Sequence, residues 1–188
     1  MPNSEVIREF VIAGHGNLDK VKAMLADQPD LLNAAHEWKP GDTETALQGA
    51  SHVGNRTIAK YLLDHGASME IYTAAMLGRT YDVERLLDGS AELIHAHGAH
   101  GISLLTHAAL SGDVALVAML YERGAHEGVS PALLSAVTKG HVELTQWLLR
   151  HAQPDLSLKN FQGKTALEIA NERGDQAIIT LLSEYQHQ

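Results

Sequence analysis

Apolar residues recur along this chain in short helical stripes that come in pairs, with a glycine between the two members of each pair. In "TALEIANERGDQAIITLL" (165–182), Leu167 and Ala170 lie three positions apart, the spacing that buries one face of a helix. Gly174 then supplies the backbone freedom that ends a helix, and Asp175 is a good N-cap for the next one. The pattern predicts two short helices in each unit and no strand of useful length.

The paired stripes repeat from one end of the chain to the other. They return at 45–63 and 104–120, in weaker form at 71–87 and 133–149, and in degenerate form at 10–25. Each copy is anchored by one glycine, and the anchors are Gly16, Gly54, Gly78, Gly112, Gly140 and Gly174. Recurrence with a period of roughly 20–50 residues is typical of a solenoid, in which each unit buries its apolar face against its neighbours.

The repeated unit resembles the ankyrin repeat. "GKTALEIA" (163–170) is similar to the family's Gly-x-Thr-Pro-Leu-His-x-Ala motif, with alanine in place of proline and Glu168 in place of histidine. "DHGA" (64–67) and "ERGA" (122–125) match the Gly-Ala pair that closes the family's second helix. A tetratricopeptide array, the alternative solenoid, needs longer helices and is disfavoured by the Gly-x-Thr-x-Leu signature. The resemblance implies a single all-α domain over residues 1–188, an α-solenoid of about six ankyrin repeats with approximate limits 3–33, 41–66, 67–90, 99–125, 129–152 and 160–186.

The unequal intervals between the anchoring glycines predict uneven loops. The two shortest intervals, from Gly54 to Gly78 and from Gly112 to Gly140, leave too little chain for a full hairpin. We therefore expect the third and fifth repeats to join their predecessors almost directly, near 67–72 and 125–131. The longest interval, which follows Gly16, predicts an enlarged loop at 34–44. In the resemblance, "DLSLKNFQGKT" (155–165) corresponds to the short β-hairpin that leads into the next repeat.

The resemblance also implies a function, which is binding of a protein partner without catalysis and without a cofactor. The surface implied is a concave face made of hairpin tips and first helices. The register places an apolar patch of Met76, Leu77 and Leu110 at the centre of that face, and exposed apolar patches often mark interaction sites. Trp38 and Phe161 fall on loops, where aromatic side chains are favoured anchors. The candidate partner-binding residues are Trp38, His52, Met76, Leu77, His100, Leu110, Lys139, Phe161 and Arg173.

Charge and composition narrow the choice of partner and compartment. The net charge is −9 and no basic stripe is visible, which argues against nucleic acid. There is no cysteine, which excludes disulfides and thiolate chemistry. The stretch "MPNSEVIREF" lacks the basic and apolar parts of a secretory signal, and no apolar run approaches the roughly 18 residues of a membrane span. We expect a cytoplasmic protein with no membrane contact, and a monomer.

Four histidines lie close together in "LIHAHGAHGISLLTHAALSGD" (93–113); they are His95, His97, His100 and His107. The main hypothesis treats them as loop and helix residues, with His107 hydrogen-bonding between repeats. The first alternative is a metal or small-molecule site, although loop histidines without carboxylate or thiol neighbours rarely hold a transition metal. The second is a weak hydrolase using Ser51 or His107, for which "GASHVG" (49–54) has its second glycine one position late. The sequence therefore predicts neither an enzyme nor a metal site.

Overall fold

The chain folds into consecutive pairs of short helices, as the paired stripes predict. The computed structural model describes residues 2–186 and places twelve α-helices in that range. The first helices of the pairs are α1 (Ser4–Gly16), α3 (Ala46–His52), α5 (Ile71–Leu77), α7 (Leu104–Ala109), α9 (Val129–Lys139) and α11 (Ala166–Arg173). The second helices are α2 (Leu18–Asp27), α4 (Arg56–Asp64), α6 (Thr80–Gly89), α8 (Val114–Glu122), α10 (Val142–His151) and α12 (Gln176–Gln186). Short 3₁₀ turns occupy Pro29–Leu31, Ala91–His95 and Ala99–Gly101.

Side-chain caps fix where many of these helices begin. The residues that directly follow four of the anchoring glycines accept hydrogen bonds from the backbone N–H three residues later, which replaces one of the partners that a helix start lacks. These caps are Asn17, Asn55, Asp113 and Asp175. Thr45 and Thr165 go further and form reciprocal capping boxes with Gln48 and Glu168. The helix pairs are therefore specified by local sequence.

The first helices pack on one another in chain order, from α1 to α11. Small residues let their backbones approach closely, since a Cβ on Gly14 of α1 would lie 2.5 Å from the carbonyl oxygen of Ala46 in α3. The buried apolar side chains form an amino-terminal core cluster, mainly from α1 to α4, and a carboxyl-terminal core cluster that extends to Leu182. This helical repeat stack confirms the predicted fold class. Over residues 2–186, no helix combines the length and apolarity needed to cross a membrane.

The connections between repeats differ as the glycine intervals predict. The enlarged loop is an antiparallel hairpin of β1 (Ala35–Lys39) and β2 (Asp42–Thr45), with Ala35 paired to Thr45. Residues 65–70 and 123–128 enter α5 and α9 without any strand. The hairpin expected at 155–165 is wrong, because that segment forms turns without paired strands. There, Asn160 and Lys164 share one backbone hydrogen bond of 2.9 Å.

The apolar patch expected on the concave face is also wrong. Met76, Leu77 and Leu110 are buried and belong to the amino-terminal core cluster. The short entry into α5 seats the end of that helix inside the stack instead of at a surface. The Arg56 guanidinium then closes over it, donating hydrogen bonds of 3.1 and 2.7 Å to the carbonyl oxygens of Met76 and Leu77.

Candidate functional site

The missing hairpin of the third repeat brings the loops of the second and fourth repeats into contact. β2 lies against the turn at 99–101. Asp42 accepts a hydrogen bond of 2.9 Å from the backbone N–H of His100, and a second one of 3.0 Å from its Nδ1. His100 adopts a φ of 61°, in the left-handed region, and this backbone conformation presents both donors to Asp42. The hydrogen bonds with His100 hold the pKa of Asp42 below its ordinary value.

The centre of this contact is Glu44, whose side chain is fully buried and surrounded by rings. Trp38 Nε1 donates a hydrogen bond of 2.7 Å to Glu44 Oε2. On the other carboxylate oxygen, Oε1, His15 Nε2 lies at 3.4 Å and His52 Nδ1 at 3.1 Å. His100 Nε2 lies 3.5 Å from Oε2. We call these five residues the Glu44 cluster.

Each member of the Glu44 cluster is held by a different part of the fold. Glu44 lies on β2 and Trp38 on β1, at the bulge between Glu37 and Lys39, and the indole reaches the carboxylate from there. His15 lies in the last turn of α1 and His52 ends α3, and their ring centroids are 4.8 Å apart. Gly49 makes this possible, because a Cβ there would lie 2.8 Å from His15 Cε1 and 3.4 Å from Glu44 Oε1.

The charge on Glu44 is stabilised by its neighbours. Burial alone raises the pKa of a carboxyl group, but the facing side chains of His15 and His52 outweigh it and hold the pKa of Glu44 well below its usual range. The Glu44 carboxylate raises the pKa of His15 in turn. His52 Nδ1 and Glu44 Oε1 are nonetheless poorly aligned, and neither atom has a hydrogen-bond partner among the described residues. The arrangement is a buried anion facing three imidazoles.

The four histidines of 93–113 do not form the metal or small-molecule site that the sequence left open. Only His100 joins the Glu44 cluster. His97 Nε2 pairs with Glu127 Oε2 at 2.7 Å, and His95 is exposed. Within residues 2–186, the three-residue group with metal-ligand spacing is His15, Glu44 and His52. The loop separates its histidines because residues 97 and 103 pair as a bridge and the left-handed turn carries His100 to β2.

The hydrolase alternative is not supported by the surroundings of its two residues. Ser51 is buried, donates its hydroxyl to the Leu47 carbonyl at 2.7 Å and lies 2.8 Å from Thr73 Oγ1. His107 is buried too, and burial lowers its pKa to about 4. Its Nδ1 donates to the Ser103 carbonyl at 2.9 Å, so the expected hydrogen bond between repeats is wrong. Among residues 2–186, neither side chain has a partner that would make it a nucleophile or a base.

The remaining candidate partner-binding residues lie in different environments. Lys139 Nζ donates to the Val53 carbonyl at 3.0 Å, and Arg173 Nη1 donates to the Thr138 carbonyl at 2.8 Å. Both cations therefore complete the ends of first helices in other repeats, where carbonyls carry partial negative charge. Trp38 is half-buried, and its indole is committed to Glu44. Phe161 is 97% exposed at the tip of its turn.

The sequence analysis missed Glu44, a hairpin residue whose side chain is fully buried. A signal was present in the repeat register. His15 lies one position before Gly16 in "GHGN" (14–17). His52 lies two positions before Gly54, the equivalent glycine of the next repeat, in "SHVGN" (51–55). Stacked repeats bring equivalent positions together, so His15 and His52 are expected to be neighbours. Glu44 comes just before α3, the helix that ends at His52. Histidines repeated in register beside a carboxylate are the pattern that indicates such a cluster.

Comparison with known proteins gives a family match for the carboxyl-terminal part of the chain. The family model described as "Ankyrin repeats (3 copies)" matches residues 105–188, the stretch that runs from α7 to the end of the chain. No curated protein matches the sequence. The preceding residues carry the same pairing of a first and a second helix, and their first helices continue the same stack. Residues 105–188 therefore belong to the ankyrin repeat family.

Proposed function

We propose that this protein is a non-catalytic binding module that holds a protein partner along the edge formed by its loops. Ankyrin repeats are generally protein–protein interaction modules. The observation that carries the proposal is Phe161, a large apolar side chain left almost entirely in water. A phenyl ring buries about 150–250 Å² when it is covered, so leaving it exposed forgoes a large hydrophobic gain.

The turn that carries Phe161 is rigid enough to present it. Asn160 Oδ1 accepts hydrogen bonds from the backbone N–H groups of Gln162, at 2.9 Å, and Lys164, at 3.0 Å. The backbone N–H of Gly163 donates to the Asn160 carbonyl at 2.9 Å. A turn whose backbone is already ordered loses little backbone entropy on binding, which favours its use to present an anchor.

The space beside Phe161 suits an extended contact. Loops precede α3, α7 and α11, and the stacking of the first helices in order puts these loops on one edge. α9 is entered without a hairpin, so a gap separates the loop at 97–101 from the turn at 160–163. We propose that a partner segment lies across it, with Trp38 and His100 further along the same edge as secondary contacts.

Comparative affinity capture from the native host tests this function. Phe161→Ala is expected to weaken a partner found with the wild-type chain by about 30-fold, the equivalent of about 2 kcal/mol for an anchor residue. Tyr81→Ala is the matched control, since Tyr81 is also exposed, at 76%, but lies near the start of the second helix α6, away from the loops. Equal retention of every captured protein by both variants would rule out the loop edge as the binding surface.

His52 is left out of this surface because its side chain is largely buried, and Lys139 and Arg173 are left out because their cations bind carbonyl groups of other repeats. The family is typically non-enzymatic, which supports the non-catalytic part of the proposal. The cytoplasmic location, the monomeric state and the limits of the individual repeats stay predictions.

A further inference from the structure

We propose that His15, Glu44 and His52 form a binding site for a divalent transition-metal ion of the Zn²⁺ class. The atoms that face one another are His15 Nε2, Glu44 Oε1 and His52 Nδ1. The three residues each offer a ligand atom within 4.8 Å of the other two. Two imidazole nitrogens and one carboxylate oxygen are a donor set that suits Zn²⁺ and its neighbours in the first transition row. The site is separate from the exposed turn that carries the proposed protein-binding function.

The spacing of the three atoms suits a small ion. Ligands held tetrahedrally at about 2.0–2.1 Å from Zn²⁺ are separated from one another by about 3.3–3.4 Å. Glu44 Oε1 lies 3.4 Å from His15 Nε2 and 3.1 Å from His52 Nδ1. Two of the three ligand separations therefore lie near the tetrahedral value without any movement of the backbone.

The hydrogen bonds around His15 leave its inner nitrogen available as a ligand. His15 Nδ1 lies 3.0 Å from the Val11 carbonyl oxygen, which can only accept, so Nδ1 carries a hydrogen. Nε2 is then the nitrogen that faces Glu44. A backbone carbonyl bound to the far nitrogen is the usual outer partner of a metal-bound histidine, because it fixes the tautomer and the ring. Trp38 Nε1 orients the carboxylate in the same way, through Oε2.

Two orphaned atoms point to the same ligand. Glu44 Oε1 and His52 Nδ1 are buried and have no hydrogen-bond partner among the residues that the structure describes. Buried polar atoms without partners are costly and therefore uncommon. When His15 is neutral, its Nε2 lone pair also faces the carboxylate. A single cation between the three atoms satisfies all of them, and a proton on one histidine satisfies only one pair.

His100 gives the site a route to solvent and a candidate fourth ligand. Its Nδ1 donates to Asp42 at 3.0 Å, which leaves Nε2, 3.5 Å from Glu44 Oε2, directed toward the carboxylate. The His15 and His100 side chains are partly exposed, whereas Glu44 is not. An ion can therefore enter past the two rings, and either His100 or water completes its coordination.

Calorimetric titration of tag-free, chelator-treated full-length protein with Zn²⁺ tests the proposal. We expect one ion per chain with a Kd below about 10 µM, and no binding of Mg²⁺, which prefers oxygen ligands. Zn²⁺ at about 100 times its Kd should raise the Tm by about 5–10 °C, because it binds the folded state alone. His15→Gln and His52→Gln should each weaken Zn²⁺ binding by at least about tenfold.

His97→Gln is the matched control, because His97 also pairs with a glutamate, Glu127, but has no third ligand beside it. It should leave Zn²⁺ binding unchanged. Gly49→Ala provides a test that keeps every ligand: its Cβ pushes on the His15 ring, so Zn²⁺ affinity should fall by at least about tenfold while the helix itself is favoured. Circular dichroism monitors folding, and Glu44→Gln, nearly identical in shape, replaces any histidine variant that fails to fold.

Saturable Zn²⁺ binding that weakens by at least about tenfold in the His15, His52 or Glu44 variants and is unchanged in His97→Gln supports the site. Absence of saturable binding by the wild-type chain up to about 100 µM Zn²⁺ overturns it. Binding that is indifferent to His15→Gln, His52→Gln and Gly49→Ala overturns it equally, because the ion is then held elsewhere. Neither result bears on the Phe161 experiment, so the metal site and the protein-binding function succeed or fail separately.

Discussion

Mild acid is expected to destabilise this protein through His107. The ring is buried between repeats, with its Nδ1 bound to the Ser103 carbonyl and the Tyr72 ring of the preceding repeat 5.5 Å away between centroids. Burial lowers the pKa of His107 to about 4, and the charge of His52 acts in the same direction. The interior of the stack therefore accepts His107 only as a neutral side chain.

The sign and size of the effect follow from the two pKa values. In the unfolded chain His107 has the ordinary pKa of 6.5, so below that pH the unfolded state takes up a proton that the folded state refuses. The free energy of unfolding thus falls as pH decreases from 6.5 to about 4. At about 1.4 kcal/mol for each unit of pKa difference, the loss is about 2 kcal/mol at pH 5 and about 3 kcal/mol near pH 4.

Urea denaturation at pH 7 and pH 5 measures this loss. The contributions of the other titratable groups cancel when wild type is compared with a variant that lacks His107. His15, whose pKa is raised, contributes stability below pH 6.5 that is lost as pH rises through its folded pKa, so it opposes His107 over part of the range. The comparison is therefore between wild type and His107→Gln. Between pH 7 and pH 5, the free energy of unfolding of the variant should fall by about 2 kcal/mol less than that of wild type. His95→Gln, which alters an exposed histidine, should behave as wild type. Parallel pH profiles for wild type and His107→Gln would refute the reasoning.

Two further expectations concern stability and can be measured by the same denaturation. Leu62→Ala removes a fully buried side chain from the amino-terminal core cluster and should lower the free energy of unfolding by about 2–5 kcal/mol; a loss under about 1 kcal/mol would mean that the site is not packed as described. Thr165→Ala removes the capping box that starts α11 and should cost about 1 kcal/mol. The control for the latter is Thr180→Ala, an exposed position within α12; an equal loss there would contradict a capping role.

The sequence predicted those parts of the fold that local interactions determine. Glycine and N-cap residues mark helix ends through bonds that span three or four residues, so the helix pairs and the short entries into the third and fifth repeats could be read from spacing alone. The prediction of a hairpin at 155–165 was wrong because hydrogen bonds to Asn160 hold this segment in a turn, without the paired strands of the family pattern.

Burial of individual side chains was harder to predict because it depends on how far neighbouring repeats approach. In the family register, Met76, Leu77 and Leu110 occupy exposed positions, yet here they join a core. The family register carries no information on how closely two repeats approach, because it assigns a hairpin of equal length to every repeat. The same limit applies to the Glu44 cluster, whose members His15 and His100 lie far apart in the sequence, in the first and fourth repeats.

One irregularity of the solenoid connects these observations. Because the third repeat lacks a hairpin, the hairpin of the second repeat reaches the loop of the fourth, and Asp42 binds His100 across the gap. That contact encloses Glu44, so the buried carboxylate and its three imidazoles depend both on the enlarged hairpin of the second repeat and on the missing hairpin of the third. The fifth repeat lacks a hairpin too, but its gap stays open because the turn at 160–163 makes no equivalent bridge among the described residues. The same omission thus produces a closed polar site in one half of the stack and an exposed anchor, Phe161, in the other.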